Sequence, residues 1–346
     1  MRIAIISPYS NGPTRGNIIT VRRIIHYLEN SGIEVMLLPA DSMSQDEMLI
    51  NLRNFSPDIV HAFHAYYCGP IAHSLASKIR KPFIISITGS DINEPAFRTH
   101  PSTAFALAKT TAIICFDKKC AESVKSHFPG TSDKLTIIPQ GVESLPLSAN
   151  PFPGIPDDVF VLLLPATLRP VKQIEFAITA SAPLTSSINK LLLVIAGGAV
   201  DAAYSDKIKL LLGINLHAIW VGDIAHDKMG DLYNRADIVL NCSEYEEMPN
   251  SLLEAMRLGR PVLAADIRGN RSLITHGNTG WLYNGKSDFQ KMIQYLAKSP
   301  ETCKQIGKQA RQHISNNFSS ETESQLHINL YTKIILNNSS PETDIR

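Results

Sequence analysis

Ile238-Val239-Leu240-Asn241-Cys242-Ser243-Glu244-Tyr245-Glu246-Glu247-Met248-Pro249-Asn250-Ser251-Leu252-Leu253-Glu254-Ala255-Met256 joins an apolar strand, an acidic loop and a helix in one run. Pro249, Asn250 and Ser251 mark the helix start, because proline suits the first turn and small polar residues suit a cap. A helix start leaves backbone N–H groups without intrahelical partners. Met248–Ser251 therefore reads as a site for phosphate oxygens or sugar hydroxyls. Glu246 lies in the loop and Glu254 a turn into the helix. Two carboxylates flanking an anion site suit a hydroxyl-rich ligand, since each accepts a pair of bonds from a diol. The plainer alternative makes Glu254 a solvated helix residue and Glu246 a capping acid.

Outward from this stretch the same strand-then-helix alternation fills the chain. Ile3–Ser7, Glu34–Leu38, Ile59–Ala62, Phe83–Thr88, Ala112–Phe116 and Leu135–Pro139 read as strands before a proline-dense linker, Ser144–Pro156. Val159–Leu164, Leu191–Ala196, Ala218–Val221, Ile238–Asn241 and Val262–Ala265 follow it, and between strands lie amphipathic stretches such as Ile18–Asn30. Strands apolar on both faces and separated by helices imply parallel sheets covered on each side. The expected fold is α/β, with doubly wound Rossmann-like domains at 1–150 and 157–318 facing across a cleft, ligands lying beyond the carboxyl ends of the strands. A terminal helix at 320–336, with Leu326, Leu330 and Ile334 as its apolar stripe, is expected to return to the N-domain. Residues 337–346 read as a flexible polar tail.

The 346 residues are 44% hydrophobic and 19% charged, a globular balance that excludes disordered, collagen-like and coiled-coil chains. A net charge of +1 argues against a general nucleic-acid binder. Cys68, Cys115, Cys120, Cys242 and Cys303 include no Cys-x-x-Cys pair, which argues against a disulfide framework or zinc site and for a reducing cytosol. The apolar start Met1–Pro8 is too short for a signal peptide, and no apolar run approaches the ~20 residues of a membrane span. A soluble, cytoplasmic protein is expected.

Gly280-Trp281-Leu282-Tyr283-Asn284-Gly285-Lys286-Ser287 matches the P-loop pattern letter for letter. The motif needs a strand before its first glycine and an open loop after it. Here turn residues precede Gly280, and Trp281–Tyr283 itself reads as a strand. The match is expected to be accidental.

The opening stretch resembles the donor-site signature of glycosyltransferase family 4, usually E-G-x-P-x-x-x-L-E-A-M. Glu246, Pro249, Leu253, Glu254, Ala255 and Met256 match it. The resemblance extends through Ala218–Leu240, Gly259–Leu282, Ile138-Pro139-Gln140-Gly141-Val142 and the Gly12–Asn17 loop, effectively the whole chain. It implies the two-domain GT-B fold and transfer of a sugar from a UDP- or GDP-sugar to an acceptor, with retention and without a metal or other cofactor. The absence of an Asp-x-Asp pair agrees with metal-free chemistry.

By that resemblance, Arg169 and Lys172, in the loop after the first C-domain strand, clamp the departing diphosphate, whose charge needs cations when no metal is present. Glu246, Met248, Pro249, Asn250, Ser251 and Glu254 bind the donor. Gly16 and Asn17 belong to the glycine loop over the reaction centre, with Asn17 able to cap the first helix. Asp91 matches the Asp of the family's H-G-x-D and orients the acceptor or a donor hydroxyl, while His64 lines the acceptor pocket. The catalytic set is Arg169, Lys172, Glu246 and Asp91, with no protein nucleophile. Thr167 stands at the usual Arg, Thr88 at the usual His and Glu247 at the usual Gly; Glu247 either narrows the accepted sugars or points to solvent. Gly16-Asn17-x-x-Thr20, Ala196–Asp201 and Arg268-Gly269-Asn270 are similar to two subgroups, the glycosyltransferase 1 domain-containing proteins and the selenosugar synthases. Two alternatives accompany the transferase reading: a selenosugar or thiosugar synthase using a UDP-sugar, and a nucleotide-sugar binder that has lost catalysis. Acceptor identity and oligomeric state are not written in the sequence.

Overall fold

The computed structural model describes residues 1–9, 16–148 and 154–339. Among them, twelve strands form two six-stranded sheets. The first holds β1 (Arg2–Ser7), β2 (Glu34–Pro39), β3 (Ile59–Phe63), β4 (Phe83–Ser86), β5 (Ala112–Cys115) and β6 (Leu135–Ile137), in the order β2-β1-β3-β4-β5-β6. The second holds β7 (Phe160–Pro165), β8 (Leu191–Ala196), β9 (Ala218–Trp220), β10 (Ile238–Asn241), β11 (Val262–Ala265) and β12 (Trp281–Tyr283), in the order β12-β11-β10-β7-β8-β9. Every pairing is parallel.

Alternation along β1 shows why the strands are apolar throughout. Ile3 and Ile5 enter one core, and Ala4 and Ile6 enter the other, so both faces are buried under helices. Each sheet reverses its winding once, between β1 and β3 in the first and between β7 and β10 in the second. In doubly wound sheets the crevice at that reversal, beyond the carboxyl ends, is where ligands bind.

The strands follow the expected ones with small shifts at their ends. β4 stops at Ser86 instead of reaching Thr88, because the Thr88 N–H donates to the Asp91 carboxylate (3.1 Å). β6 stops at Ile137, two residues before Pro139, which has no N–H to give.

The chain divides into two compact units, with the boundary after Gly141 and not at 150. Residues 142–148 belong to the second unit because Ser148 donates its N–H and hydroxyl to Asp231, both at 2.7 Å, and Val142 donates its N–H to Phe318 O (2.9 Å). The terminal helix, Ser320–Ser339, belongs to the first unit and packs on the first helix, Gly16–Asn30. It includes three residues of the expected tail, and Asn338 donates its amide to Ile334 O (2.8 Å). The rest of that tail, 340–346, lies outside the described residues. The buried seam of this helix is Glu323, Ser324, His327, Tyr331 and Ile334, while Leu326 and Leu330 are half-buried beside it. Two of its polar residues have buried partners, whereas Ser324 Oγ and His327 Nδ1 are buried without a hydrogen bond among the described residues. Glu323 pairs with Arg23, and Tyr331 hydrogen-bonds His61 Nδ1 (2.8 Å), whose Nε2 meets Ser86 Oγ (2.8 Å).

Candidate active site

At the second sheet's reversal, the loops after β7 and β10 are stitched together by the Glu244 N–H, which donates to Val171 O (2.9 Å). The first loop ends in a 3-10 turn, Pro170–Lys172, closed by Gln173 at φ 50°. This geometry sets the Lys172 ammonium against Glu246 Oε1, which also accepts from Ser243 Oγ (2.7 Å). Burial works against the Glu246 charge. The Lys172 ammonium, the bonds from Lys172 and Ser243, and the nearby Arg169 guanidinium outweigh it and hold the carboxyl below the usual carboxylate range. Arg169 is exposed on extended backbone, φ −153°. The structure therefore pairs Lys172 with Glu246 and leaves the Arg169 charge near enough to act on that carboxylate. Behind them, Gly197 (φ 156°) lies so close to Ala166 that a Cβ would come within 2.2 Å of its carbonyl oxygen, which gives the Ala196–Asp201 loop its need for glycine.

The helix after the acidic loop, Asn250–Arg257, has Pro249 at its N-cap, and proline offers no side chain to accept from the first amides. Intrahelical bonding starts with the N–H groups of Leu252 and Leu253, both donating to Pro249 O (3.2 Å). Asn250 and Ser251 are half-buried at this start, and Met248 and Pro249 are buried beneath it. Glu254 is not a solvated helix residue. It is 5% exposed, and its Oε2 accepts from Tyr233 OH (2.8 Å) while its Oε1 accepts from His226 Nε2 (2.8 Å).

Glu247 does not point to solvent. Its carboxylate is 2% exposed and paired with Arg268, in the loop after β11. The next residue, Gly269, touches the acidic loop so closely that a Cβ would lie 2.3 Å from Glu246 O. Asn270 then donates its amide to Asn241 Oδ1 (3.2 Å), the same oxygen that accepts the Ser243 N–H (3.2 Å). Arg268-Gly269-Asn270 thus braces the loop that carries Glu246. His226, Tyr233, Ser243 and Arg268 escaped the sequence reading as site residues. For Arg268 the flanking Gly-Asn was a signal, and Ser243 stands in the acidic stretch itself, whereas nothing local distinguishes His226 and Tyr233.

In the first unit the expected acceptor residues turn out to build their own loops. Asp91 is fully buried and accepts the N–H groups of Ala65 (3.0 Å), Thr88 (3.1 Å) and Gly89 (2.9 Å), and so fastens the loops after β3 and β4. His64 is 1% exposed, at φ 83°, and its Nδ1 accepts the Tyr67 N–H (3.3 Å) while its Nε2 donates to Ser90 Oγ (3.0 Å). Burial pushes its pKa down, against the pull of Asp91 and Glu94. Gly16 and Asn17 open the first helix itself, so Asn17 is not its cap; its amide instead reaches Thr88 Oγ1 (3.5 Å). The remainder of the glycine loop, 12–15, lies outside the described residues.

The P-loop match fails on geometry, since Trp281–Tyr283 is β12 and a Cβ on Gly280 would lie 2.5 Å from Val262 Cγ2. Among the described residues, no three His, Cys, Asp or Glu side chains are grouped to hold a metal ion, and no helix is long and apolar enough to cross a membrane.

Residues 149–313 match the family model described as Glycosyl transferases group 1, and residues 45–144 match Glycosyltransferase Family 4. The chain belongs to the GT-B glycosyltransferases. This glycosyltransferase is 26% identical over 335 residues to Glycosyltransferase 1 domain-containing protein 1 of Xenopus tropicalis, covering 93% of this chain and 94% of that one. It is 32% identical over 161 residues to the putative glycosyltransferase EpsD of Bacillus subtilis, covering 46% and 42%. Its fold matches sucrose-phosphate synthase from Thermosynechococcus elongatus with a TM-score of 0.81 at 17% identity, over 98% of this chain and 100% of the other. Anabaena HepE, solved with UDP and glucose, matches with a TM-score of 0.77 at 16% identity, over 96% and 99%.

Proposed function

We propose that the glycosyltransferase moves a sugar from a UDP- or GDP-sugar to an acceptor with retention of configuration and without a metal ion. The observation that carries this reading is the pairing of Lys172 with Glu246 at the β7–β10 reversal, with the Arg169 charge near it. HepE, which shares the fold, was solved with UDP and with UDP-glucose, and this supports a uridine-type donor.

Cleavage of the sugar–phosphate bond leaves growing negative charge on the diphosphate. Lys172, Arg169 and the first-turn amides of the Asn250–Arg257 helix supply fixed positive potential where that charge forms. The diphosphate draws Lys172 away from Glu246, whose carboxylate, still held by Ser243, then accepts sugar hydroxyls. Tyr233 fixes one oxygen of Glu254, and the ribose hydroxyls take the place of His226 on the other. The departing phosphate oxygen accepts the acceptor's proton on the face it leaves, which gives retention without a protein nucleophile. The five cysteines are free thiols, in keeping with a reducing cytoplasmic setting.

The test is release of nucleoside diphosphate from UDP- and GDP-sugars in the presence of EDTA, with the anomeric configuration of product read by proton NMR. Turnover that survives chelation and an axial-to-axial or equatorial-to-equatorial product are expected. Activity restored only by magnesium or manganese, or an inverted product, would overturn the reading.

A further inference from the structure

The loop after β10 sets two carboxylates side by side, and each is held by a cation from a different neighbouring loop. Lys172, after β7, pairs with Glu246, and Arg268, after β11, pairs with Glu247. The two pairs differ in depth. The Glu247 carboxylate is 2% exposed against 15% for Glu246, so its guanidinium is the harder of the two cations to remove. The backbone behind the second pair has no slack, since a Cβ on Gly269 would lie 2.3 Å from Glu246 O and 2.8 Å from Glu247 O. Asn270 Nδ2 and the Ser243 N–H both donate to Asn241 Oδ1 (3.2 Å each), and Ser243 Oγ donates to Glu246 Oε1 (2.7 Å). Contacts thus run from residues 268–270 to the Glu246 carboxylate without passing through Lys172.

We propose that Arg268 is a positioning residue that, through Glu247, sets selectivity for the donor's sugar. The proposal rests on the donor reading of this site and deepens it by naming what holds the sugar-facing carboxylate still. In that reading the diphosphate takes Lys172 away from Glu246. Ser243 and, one residue on, the Glu247–Arg268 pair then keep the carboxylate in place. A fixed carboxylate separates an equatorial from an axial hydroxyl, because one makes a charge-assisted bond and the other does not; a mobile carboxylate follows either. The pair is internally neutral and adds no net charge at the diphosphate. Its loss therefore acts on sugar discrimination and leaves nucleotide affinity alone. Lysine in place of Arg268 keeps the charge but not the planar fork, so it tethers the loop less firmly.

Titration calorimetry on the full chain tests this with UDP, UDP-glucose and UDP-galactose, and with GDP, GDP-mannose and GDP-glucose. The wild type should separate at least one epimeric pair by about tenfold in Kd. Arg268→Ala combined with Glu247→Gln strands no charge, so its melting temperature should return towards that of the wild type. Its Kd for the free nucleotide should match the wild type, yet the epimer ratio should fall to about threefold or less. Arg268→Lys should recover part of the ratio. Epimers bound equally by the wild type overturn the proposal. A ratio that recovers in the double variant along with its stability also overturns it, because Arg268 would then serve the fold and not the sugar. Hydrogen exchange at residues 242–249 needs no nucleotide and should be faster in the double variant than in the wild type. If no nucleotide binds the wild type, faster exchange there sinks the donor reading and leaves the tether standing, and unchanged exchange sinks both.

Discussion

Glu323→Ala should release the terminal helix from the first unit. Glu323 and Arg23 are 2% and 5% exposed and hold each other through two bonds, Nε to Oε2 at 2.9 Å and Nη2 to Oε1 at 3.1 Å. Removing the carboxylate leaves the guanidinium buried without its counter-ion, and breaking a buried pair this way costs about 3–5 kcal/mol. At about 1.4 kcal/mol per factor of ten, opening of the helix becomes roughly two to three and a half powers of ten more frequent. Both tryptophans, Trp220 and Trp281, lie in the second unit, so tryptophan fluorescence does not report on this event. Hydrogen exchange read by mass spectrometry on peptides spanning 320–339 does. Arg23→Met combined with Glu323→Leu should recover most of the protection, because apolar groups of similar size remove the desolvation penalty together with the pair. Wild-type protection in Glu323→Ala would refute the reasoning. A double variant as unprotected as the single one would assign the loss to packing instead of charge.

Acid should weaken the first unit before the second. Burial pushes the His327 pKa down to about 4, with Glu323 raising and Arg23 lowering it further, and burial followed by the His327 charge pushes His61 well down. The unfolded chain binds these protons first, so stability is full above about pH 6.5 and falls as pH drops; the His327 contribution is lost by about pH 4. For His327 alone the loss is about 3 kcal/mol, and a protection profile for 320–339 that stays flat from pH 7 to 4.5 would contradict it. Arg268→Ala should strand the buried Glu247 carboxylate and lower stability by about 3 kcal/mol, with Glu247→Gln in the same protein recovering part of it; calorimetric melting distinguishes these outcomes. Lys286→Ala should leave nucleoside diphosphate release unchanged, and an ATPase activity lost in that variant would reinstate the P-loop.

The strands of both sheets were legible because parallel strands buried on two faces leave continuous apolar runs, as at Ile3–Ile6 and Ile238–Leu240. The tertiary partners of polar residues were not. The seam of the terminal helix was read from Leu326, Leu330 and Ile334, yet Glu323 and His327 are deeper, since Arg23 and the groups around His61 lie some 300 residues or fewer away in sequence and directly opposite in space. Asp91 was read as a substrate contact from its match to the family's H-G-x-D, and His64 from its place after a strand, where sites form. Only the structure reveals that backbone N–H groups and Ser90 already occupy them. Glu246 and Lys172 were named from the resemblance to the family's signature and their loops after strands, and the structure pairs them. Tyr233 and His226, 21 and 28 residues from Glu254, carry no such mark.

Binding of UDP and GDP to the wild type, Glu254→Ala and Lys172→Ala, followed by thermal shift and titration calorimetry, bears most directly on the donor site. At least one nucleotide should raise the melting temperature of the wild type by mass action. Glu254→Ala should bind that nucleotide more weakly by removing a hydroxyl acceptor. Lys172→Ala should lose more in turnover than in affinity, because the charge it meets grows as the bond breaks. If neither nucleotide binds the wild type, or both variants match it in affinity and rate, the β7–β10 reversal is not the donor site.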